Sequence, residues 1–262
     1  MGDIARCSLG KPGEFYSEEL LHQMFGVNAE LLIDHAWGYE PCTIAQIRAY
    51  KPQSSSLGCG QGLHCPYTAD KARIVVQEMI DGISLELVEK RLVTDQLVLT
   101  VGYDIENLTR PEIRKVYKGP VTTDRYGRRV PKHAHGTWNL PRATSSSSEL
   151  LEAMAALYDK IVNPALLIRR MSLSACHVVN EKMAKEREQK ETFEQLDLFT
   201  DYAKKEAKEK EEQKKRERER RMQEALLTIK KKYGKNAVLR GMNFEEGATA
   251  KERNGQIGGH QA

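Results

Sequence analysis

The spacing of apolar and polar residues divides the chain into four parts. Residues 1–40 carry apolar side chains at helical spacing, interrupted by Gly26 and closed by Gly38, which predicts a small helical domain. Residues 41–56 contain prolines and a serine run and are predicted to be a linker. The rest of the chain divides near residue 181, where strand and helix periodicities give way to a charged run.

The part from residue 57 to 181 has two stretches with helical periodicity and four that are typical of strands. One helical stretch starts at Ala69, and the other starts in the serine run SSSS with a glutamate in its first turn. The strand-like stretches are SSSLGCGQGLHC, DQLVLTVGYD, GTWNLPRAT and LIRRMSLSACHVV. The order β-α-β-β-α-β predicts an α+β domain of ferredoxin-like type, with two helices on one face of a four-stranded sheet.

The last part, residues 182–262, is predicted to be a charged tail. A solvated helix with i,i+4 ion pairs is expected between Ala203 and Arg221, and a short amphipathic turn follows it. The final residues NGQIGGHQA are expected to be loose. One apolar cluster, QLDLF at residues 195–199, interrupts the charged sequence and has no obvious use in a solvated segment.

Composition limits the class of protein. Of the 262 residues, 30% are charged, and the mean hydropathy of −0.59 is low for one compact globule of this length. No apolar run approaches a membrane span, and the N-terminus lacks the apolar core of a signal peptide. The five cysteines form no CxxC pair, which favours a reducing cytoplasm.

Familiar catalytic and metal-binding motifs do not fit the sequence. LGCGQGLHC resembles a phosphate loop, but Leu63 stands where such a loop needs lysine. Cys59, His64 and Cys65 lack the two spaced ligand pairs of a structural zinc site. Asp95 and Asp104 lie at opposite ends of one strand and are read as turn residues. No cofactor is therefore expected in this chain.

A basic insertion between the second and third strands indicates nucleic-acid binding. Two acidic residues, Glu112 and Asp124, oppose its cations, and Tyr117 and Tyr126 are interleaved. The cations are Arg110, Arg114, Lys115, Lys118, Arg125, Arg128, Arg129 and Lys132. Such side chains neutralise phosphates, and nearby hydroxyls and backbone N–H groups hydrogen-bond to phosphate oxygens. The open alternative is a solvated loop, the commoner role of a charge run.

Several motifs resemble the C-terminal half of a Y-family translesion DNA polymerase of the UmuC/DinB type. MGDIARCSL resembles the end of the thumb's helix-hairpin-helix, and FGVNAELLIDHAWG resembles the last thumb helix. SSLG, from Ser55, resembles the entry to the little finger domain, whose element order matches residues 57–181. The motifs resemble most those of the UmuC-like repair proteins of Gram-positive bacteria. The resemblance therefore implies a role in DNA repair, translesion synthesis and the SOS response.

The resemblance implies that the little finger binds primer–template DNA. In this family it lies along the major groove and holds the phosphate backbone through the exposed sheet face and strand N–H groups, whatever the bases. Arg142, which precedes the second helix, belongs to the same basic set. The DNA-binding residues expected in this chain are Ser55, Ser56, Gly58, His135, Gly136, Thr137, Arg142, Arg169 and Arg170.

Three departures from the family qualify the resemblance. Ser55 replaces a usual lysine, and Ala29 replaces the second glycine of the thumb hairpin, which weakens two phosphate contacts. The palm and fingers, whose carboxylates hold Mg²⁺ in the parent enzyme, have no counterpart in the sequence. We therefore expect a fragment without polymerase activity of its own, for which a separate palm fragment is a candidate partner.

The pentapeptide Gln195, Leu196, Asp197, Leu198 and Phe199 matches the bacterial sliding-clamp motif Q-L-x-L-F. The glutamine can hydrogen-bond at the rim of a pocket, and each apolar side chain contributes about 1.5–3 kcal/mol when it is fully buried. After ordering costs, this predicts roughly micromolar affinity. The alternative is a helical turn that packs back on the domain.

Two other functions compete with this hypothesis. One is a stand-alone regulatory protein that binds RNA or DNA through a ferredoxin-like sheet, but sheets that bind single-stranded RNA present aromatic side chains, and the central strand offers only Tyr103. The other is a scaffold acting through the charged helix, which lacks a sustained heptad pattern.

Overall fold

The chain forms two compact units, Met1–Gln53 and Ser54–Ala262. The computed structural model describes residues 1–40, 42–50, 55–124, 126–191, 202–257 and 260–261. The QLDLF motif at 195–199 lies outside these residues, as do Pro41 and Arg125.

The first unit is helical, as predicted. Its helices are α1 (Gly2–Cys7), α2 (Glu18–Phe25), α3 (Asn28–Ala36) and α4 (Ile44–Ala49). A small core of Cys7, Leu21 and Ala29 joins the first three helices. Ala29 is fully buried, so its methyl group packs against the neighbouring helices.

Helix α4 lies within the segment that was predicted to be a linker. The side chain of Thr43 accepts a hydrogen bond from the backbone N–H of Gln46 at 3.2 Å, and Gln46 Oε1 accepts one from the N–H of Thr43 at 2.8 Å. This reciprocal capping box satisfies N–H groups that a helix start would otherwise leave unpaired.

The second unit contains the longer elements. They are β1 (Leu57–Tyr67), α5 (Ala69–Lys90), β2 (Leu92–Tyr103), α6 (Glu106–Thr109), α7 (Pro111–Val116), β3 (Val121–Thr123), β4 (Arg129–Pro131), β5 (Ala134–Thr144), α8 (Ser147–Ile161), β6 (Ile168–Cys176), β7 (Val179–Asn180), α9 (Glu181–Glu191), α10 (Tyr202–Tyr233), a 3-10 turn (Gly241–Phe244), α11 (Ala250–Arg253), β8 (Gln256–Ile257) and β9 (His260–Gln261). The four long strands and two long helices occur in the predicted order.

The main sheet has the strand order β1-β6-β2-β5, with antiparallel pairs throughout, and β7 pairs with the start of β2. A mixture of helices with an antiparallel sheet agrees with the predicted α+β class. Strand β6 separates β1 from β2, which makes a split βαβ unit. In a ferredoxin-like sheet the third long strand has this place, so the strand order here is a distinct one.

Helices α5 and α8 pack against each other and against the sheet. Leu97, Leu99 and Val101 alternate along β2 and are completely buried beneath them. Helix α8 begins as predicted, because Ser146 caps it by accepting the N–H of Glu149 at 3.3 Å.

The C-terminal part of the chain packs on the helical side of the second unit. Helix α10 continues to Tyr233, past the predicted end. Its Gln223 is buried and donates to the carbonyl oxygen of Ser145 at 3.0 Å and to Ser147 Oγ at 2.8 Å. Glu219 accepts the N–H of Ser148 at 2.8 Å and so adds a second cap to α8.

Residues beyond α10 are held by a buried carboxylate on α5. Glu78 is 3% exposed. It accepts hydrogen bonds from Asn243 Nδ2 at 2.8 Å, from the N–H of Thr249 at 2.8 Å and from the N–H of Ala250 at 2.9 Å. A carboxylate with this many donors tolerates burial, because charge-assisted hydrogen bonds replace its hydration.

We predict that Glu78→Ala releases the C-terminal segment. Its donors would lose their acceptor, and we expect the free energy of unfolding to fall by about 2–4 kcal/mol. Urea denaturation measures this loss, and limited proteolysis should cut first between α10 and α11. The control is Glu86→Ala on the same helix, which removes an exposed i,i+4 pair with Lys90 and should cost at most about 0.5 kcal/mol. Equal losses in the two variants would contradict the anchoring role of Glu78.

Candidate nucleic-acid interface

The face of the main sheet opposite α5 and α8 forms a surface of small and polar side chains, which we call the open face. Successive side chains of a strand point to opposite faces. The same alternation that buries Leu97 and Leu99 therefore directs their neighbours outward. The residues of the open face are Gly58, Gly60, Gly62, Gln96, Val98, Thr100, Gly102, His135, Thr137, Asn139, Arg170, Ser172, Ser174 and Cys176.

Strand register aligns these residues in rows across the sheet. One row runs Gly60, Ser172, Thr100, His135. In it, Thr100 Oγ1 and His135 Nδ1 share a hydrogen bond of 2.9 Å. The hydroxyl of Ser172 is exposed and makes no hydrogen bond within the described residues. Hydroxyl donors are thus available at the centre of the face.

Glycines leave the β1 edge of the open face without side chains. A Cβ atom added at Gly62 would meet nothing within 4 Å, and one at Gly60 would make only ordinary contact, 3.7 Å from a backbone oxygen. Larger side chains would fit here, so intramolecular packing does not require these glycines. Their effect is to expose backbone to whatever lies against the sheet.

Gly102 has a different role, because it makes room for Arg170. A Cβ atom at Gly102 would lie 2.6 Å from Arg170 Cγ. The aliphatic part of the Arg170 side chain can therefore lie across β2 because residue 102 has no side chain. Arg170 is exposed and makes no ion pair in the described part of the chain. No carboxylate belongs to the open face, so its net charge is positive.

Four of the expected DNA-binding residues lie on the open face. Gly58 is at its β1 edge, His135 and Thr137 are on β5, and Arg170 is on β6. The exposed Ser56 directly precedes β1.

The other expected residues lie elsewhere. Gly136 faces the helices, where a Cβ atom would lie 2.8 Å from Ile161 Cγ2. Arg142 forms an ion pair with Glu149 of α8 on the helical side. The hydroxyl of Ser55 donates to the carbonyl oxygen of Val178. These three residues therefore do not share the open face, and the side chains of Arg142 and Ser55 are engaged within the protein.

Arg169 lies beside the open face, at the end of β6. Its Nη1 donates to the carbonyl oxygen of His64 at 3.0 Å, and its Nε lies 3.7 Å from Asp104 Oδ2. The register shift between Gly102 and Tyr103 leaves Arg169 without a partner on β2, and Arg169 and Arg170 are both exposed at this end of the strand.

Several open-face residues were missed in the sequence. Gly60, Gly62, Thr100 and Ser172 share one signal, since small or hydroxylated residues recur at every second position of GCGQG, LTVG and MSLS. That period of two marks a strand face that is built of small side chains.

The basic insertion folds into helices and a hairpin. We call residues 121–131 the insertion hairpin; it contains β3, β4 and the turn that joins them. At the turn, Asp124 Oδ1 accepts the N–H groups of Tyr126 and Arg128, each at 2.9 Å. Asp124 Oδ2 accepts Nε and Nη2 of Arg128 at 2.9 and 2.8 Å. One carboxylate thus holds both the turn and the arginine.

Within the described residues, no three His, Cys, Asp or Glu side chains come together in a way that could hold a metal ion. None of the helices described is long and apolar enough to cross a bilayer.

Comparison with known proteins gives no assignment: no protein-family model matches the chain, and no curated protein matches it significantly.

We predict that acid loosens the insertion hairpin. Burial alone would raise the pKa of Asp124, but hydrogen bonds from the Arg128 side chain and from the Arg128 and Tyr126 N–H groups lower it. Such a carboxylate stabilises the folded hairpin above its unfolded pKa of about 3.9, and this stabilisation is lost as the pH falls through the lower, folded pKa. Amide NMR should show the two N–H hydrogen bonds intact down to about pH 4 and lost below it. The amides of β2 serve as the control. Loss of these hydrogen bonds already near pH 6 would contradict the role of Asp124.

Proposed function

We propose that the second unit binds the DNA backbone through its open face and that the chain is the DNA-binding part of a Y-family translesion polymerase, acting in DNA repair. The observation that carries the proposal is the composition of the open face. An exposed sheet face built of glycine, serine and threonine, with arginine and no carboxylate, suits a phosphate backbone.

Small side chains favour contact with phosphates over contact with base edges. Serine and threonine hydroxyls and strand N–H groups donate to phosphate oxygens, and these contacts carry no sequence information. Glycines at Gly58, Gly60 and Gly62 let a nucleic-acid strand approach the β1 backbone. A polymerase that must accept damaged templates needs binding of this kind.

The open face also favours DNA over single-stranded RNA. Sheets that bind single-stranded RNA stack bases on aromatic side chains of their central strands. Tyr103, the one aromatic candidate on β2, is 8% exposed and faces the helices, where its hydroxyl accepts the N–H of Asn163 at 2.9 Å. No Phe, Tyr or Trp belongs to the open face, which disfavours the RNA-binding alternative.

The little finger assignment rests on element order and on one-sided packing. The predicted order β-α-β-β-α-β occurs, and both long helices cover one sheet face while the other remains exposed. We propose that this unit corresponds to the little finger and that the first unit corresponds to part of the thumb.

We further propose that catalysis in the parent enzyme belongs to a separate palm, which would hold Mg²⁺. The first unit exposes large apolar side chains that a partner could cover. Phe15 is 76% exposed, Val27 86% and Trp37 58%. Exposed apolar surface of this kind suits a protein contact, and a palm fragment is the partner that we propose. The chain alone would then bind primer–template DNA without extending it.

The QLDLF motif supports docking on the bacterial sliding clamp. Its residues lie between the end of α9 at Glu191 and the start of α10 at Tyr202. Arg220 of α10 pairs at 3.2 Å with Glu181, the first residue of α9.

We predict that Gly60→Glu weakens binding to primer–template duplex. The new side chain fits sterically, because only ordinary contacts surround the Cβ position. It would place a carboxylate where a phosphate is proposed to lie, and like charges across an interface cost several kcal/mol. We expect affinity to fall at least about tenfold, measured by fluorescence anisotropy over a range of salt concentrations.

The matched control for this experiment is Gly82→Glu. Gly82 is exposed on α5, and a Cβ atom there would meet nothing within 4 Å. The variant has the same charge change on the helical side and should bind DNA nearly as the wild type does. Similar losses in both variants, or wild-type affinity that ignores ionic strength, would refute the phosphate-binding model.

We predict that Leu198→Ala combined with Phe199→Ala abolishes clamp binding and leaves DNA binding intact. Two buried apolar side chains contribute about 3–6 kcal/mol together, and losing them would weaken a micromolar contact by roughly 10²- to 10⁴-fold. Surface plasmon resonance with immobilised clamp measures the effect. Asp197→Ala, at the variable position of the motif, is the control and should retain binding. Unchanged clamp binding in the double variant would end the assignment.

A further inference from the structure

A groove continues the open face beyond the end of the sheet. It has a volume of about 840 Å³ and lies between the insertion hairpin and the ends of β1, β2 and β6. Gly62, Gly102 and Arg170 belong both to the open face and to the groove wall. A strand lying on the open face would therefore pass Arg170 as it enters this groove.

Two ion pairs in the groove have the same asymmetric arrangement. On the hairpin wall the Arg128 side chain is 54% exposed, whereas its partner Asp124 is 11% exposed. On the sheet wall Arg169 is 45% exposed and its partner Asp104 is 8% exposed. In each pair the carboxylate lies beneath and the guanidinium is presented to the groove. Asp124 orients Arg128 through two hydrogen bonds and leaves it available to a second, anionic partner. Arg169 is held by its hydrogen bond to the carbonyl oxygen of His64.

Uncharged donors accompany these arginines. Thr122 and Thr123 of β3 are exposed and line the groove, as does His133. The Arg128 guanidinium lies over the ring of Tyr126, 5.0 Å from the ring centroid, and this cation–π contact also holds it in place. Arginines on the hairpin wall and on the sheet wall, with threonine hydroxyls on the hairpin wall, form a site for a group that offers several acceptor oxygens in a row.

We infer that this groove binds the phosphodiester backbone of a nucleic-acid strand that leaves the open face, with Arg128 on the hairpin wall and Arg169 on the sheet wall holding phosphate oxygens. The inference rests on the proposed function for the identity of that strand. It assigns a role to the insertion hairpin, which extends the contact beyond the sheet. The strand is either part of the duplex or a single-stranded extension of it.

Neighbouring arginines on the hairpin give a matched test. Arg128 lines the groove, whereas Arg129 is exposed on the same hairpin and does not line it. We compare Arg128→Gln with Arg129→Gln, using a blunt duplex and the same duplex with a single-stranded extension. Arg128→Gln should lower the slope of log affinity against log salt by about 0.9, which is one phosphate contact. Arg129→Gln should leave the slope unchanged.

The two probes distinguish the source of the phosphate. A slope change with both probes places duplex backbone in the groove, and a change with only the extended probe places the single strand there; either result supports the site. Equal slopes for Arg128→Gln and Arg129→Gln on both probes would overturn it, because the hairpin would then act only through its overall charge.

Two further measurements separate this site from hairpin unfolding and from the open face. NMR signals of the Tyr126 and Arg128 N–H groups, which donate to Asp124, report whether the hairpin turn survives substitution. Arg128→Lys keeps the charge and should preserve the slope. A lower slope in Arg128→Lys with the turn intact would contradict phosphate binding at this position. If Gly60→Glu weakens binding and Arg128→Gln changes no slope, the groove assignment fails while the proposed function stands.

Discussion

One-sided burial of the main sheet is the constraint on which the rest of the second unit depends. Leu97, Leu99 and Val101 contribute about 1.5–3 kcal/mol each when they are buried under α5 and α8. Because side chains alternate with a period of two, the register that buries them also sets Val98 and Thr100 on the open face. A slip by one residue would expose leucines and bury hydroxyls, so core packing fixes the candidate site as firmly as it fixes the core.

The C-terminal segment reinforces this asymmetry. Glu78, Ser145 and Ser147 receive it on the helical side, through buried or half-buried hydrogen bonds. Because the tail contributes its polar contacts to helices, within the described residues it adds a layer to the covered face and leaves the open face exposed. The second half of the charged helix α10 is thus structural, because its Glu219 also caps the start of α8.

The long elements could be predicted from sequence because each has a strong local signal. The periodicity of α5, the serine cap of α8 and the β-branched run of β2 are all local features. The docking of residues beyond Tyr233 could not be predicted, because it depends on Glu78, which is distant in sequence and looks like any helix glutamate. Helix α4 was missed although the Thr43 and Gln46 capping box was readable, since the nearby prolines dominated the interpretation of that segment.

The candidate site was predictable to a similar extent. The strands that carry the site have clear sequence signals. The family motifs, however, mark consecutive residues without regard to strand alternation, and Gly136, which they include, faces α8. Arg142 illustrates the other limit, because a cation near a serine run looks like a phosphate ligand until Glu149 is seen beside it. Period-two patterns of glycine, serine and threonine mark the open-face residues better than the family motifs do.

Charge on the candidate interface is concentrated at one end, and this distribution has a mechanistic consequence. Most of the open face offers neutral donors, whereas Arg170, Arg128 and Arg169 lie together beside the hairpin. Neutral hydroxyls and backbone N–H groups hold a phosphate only at close range, while the guanidinium of Arg170, which makes no ion pair within the described residues, attracts it over a Debye length of about 10 Å. A strand would then be captured first at the groove and afterwards settle along the sheet. Because Asp124 holds the Arg128 guanidinium, and the carbonyl oxygen of His64 holds that of Arg169, before binding, little side-chain entropy of these two residues remains to be lost.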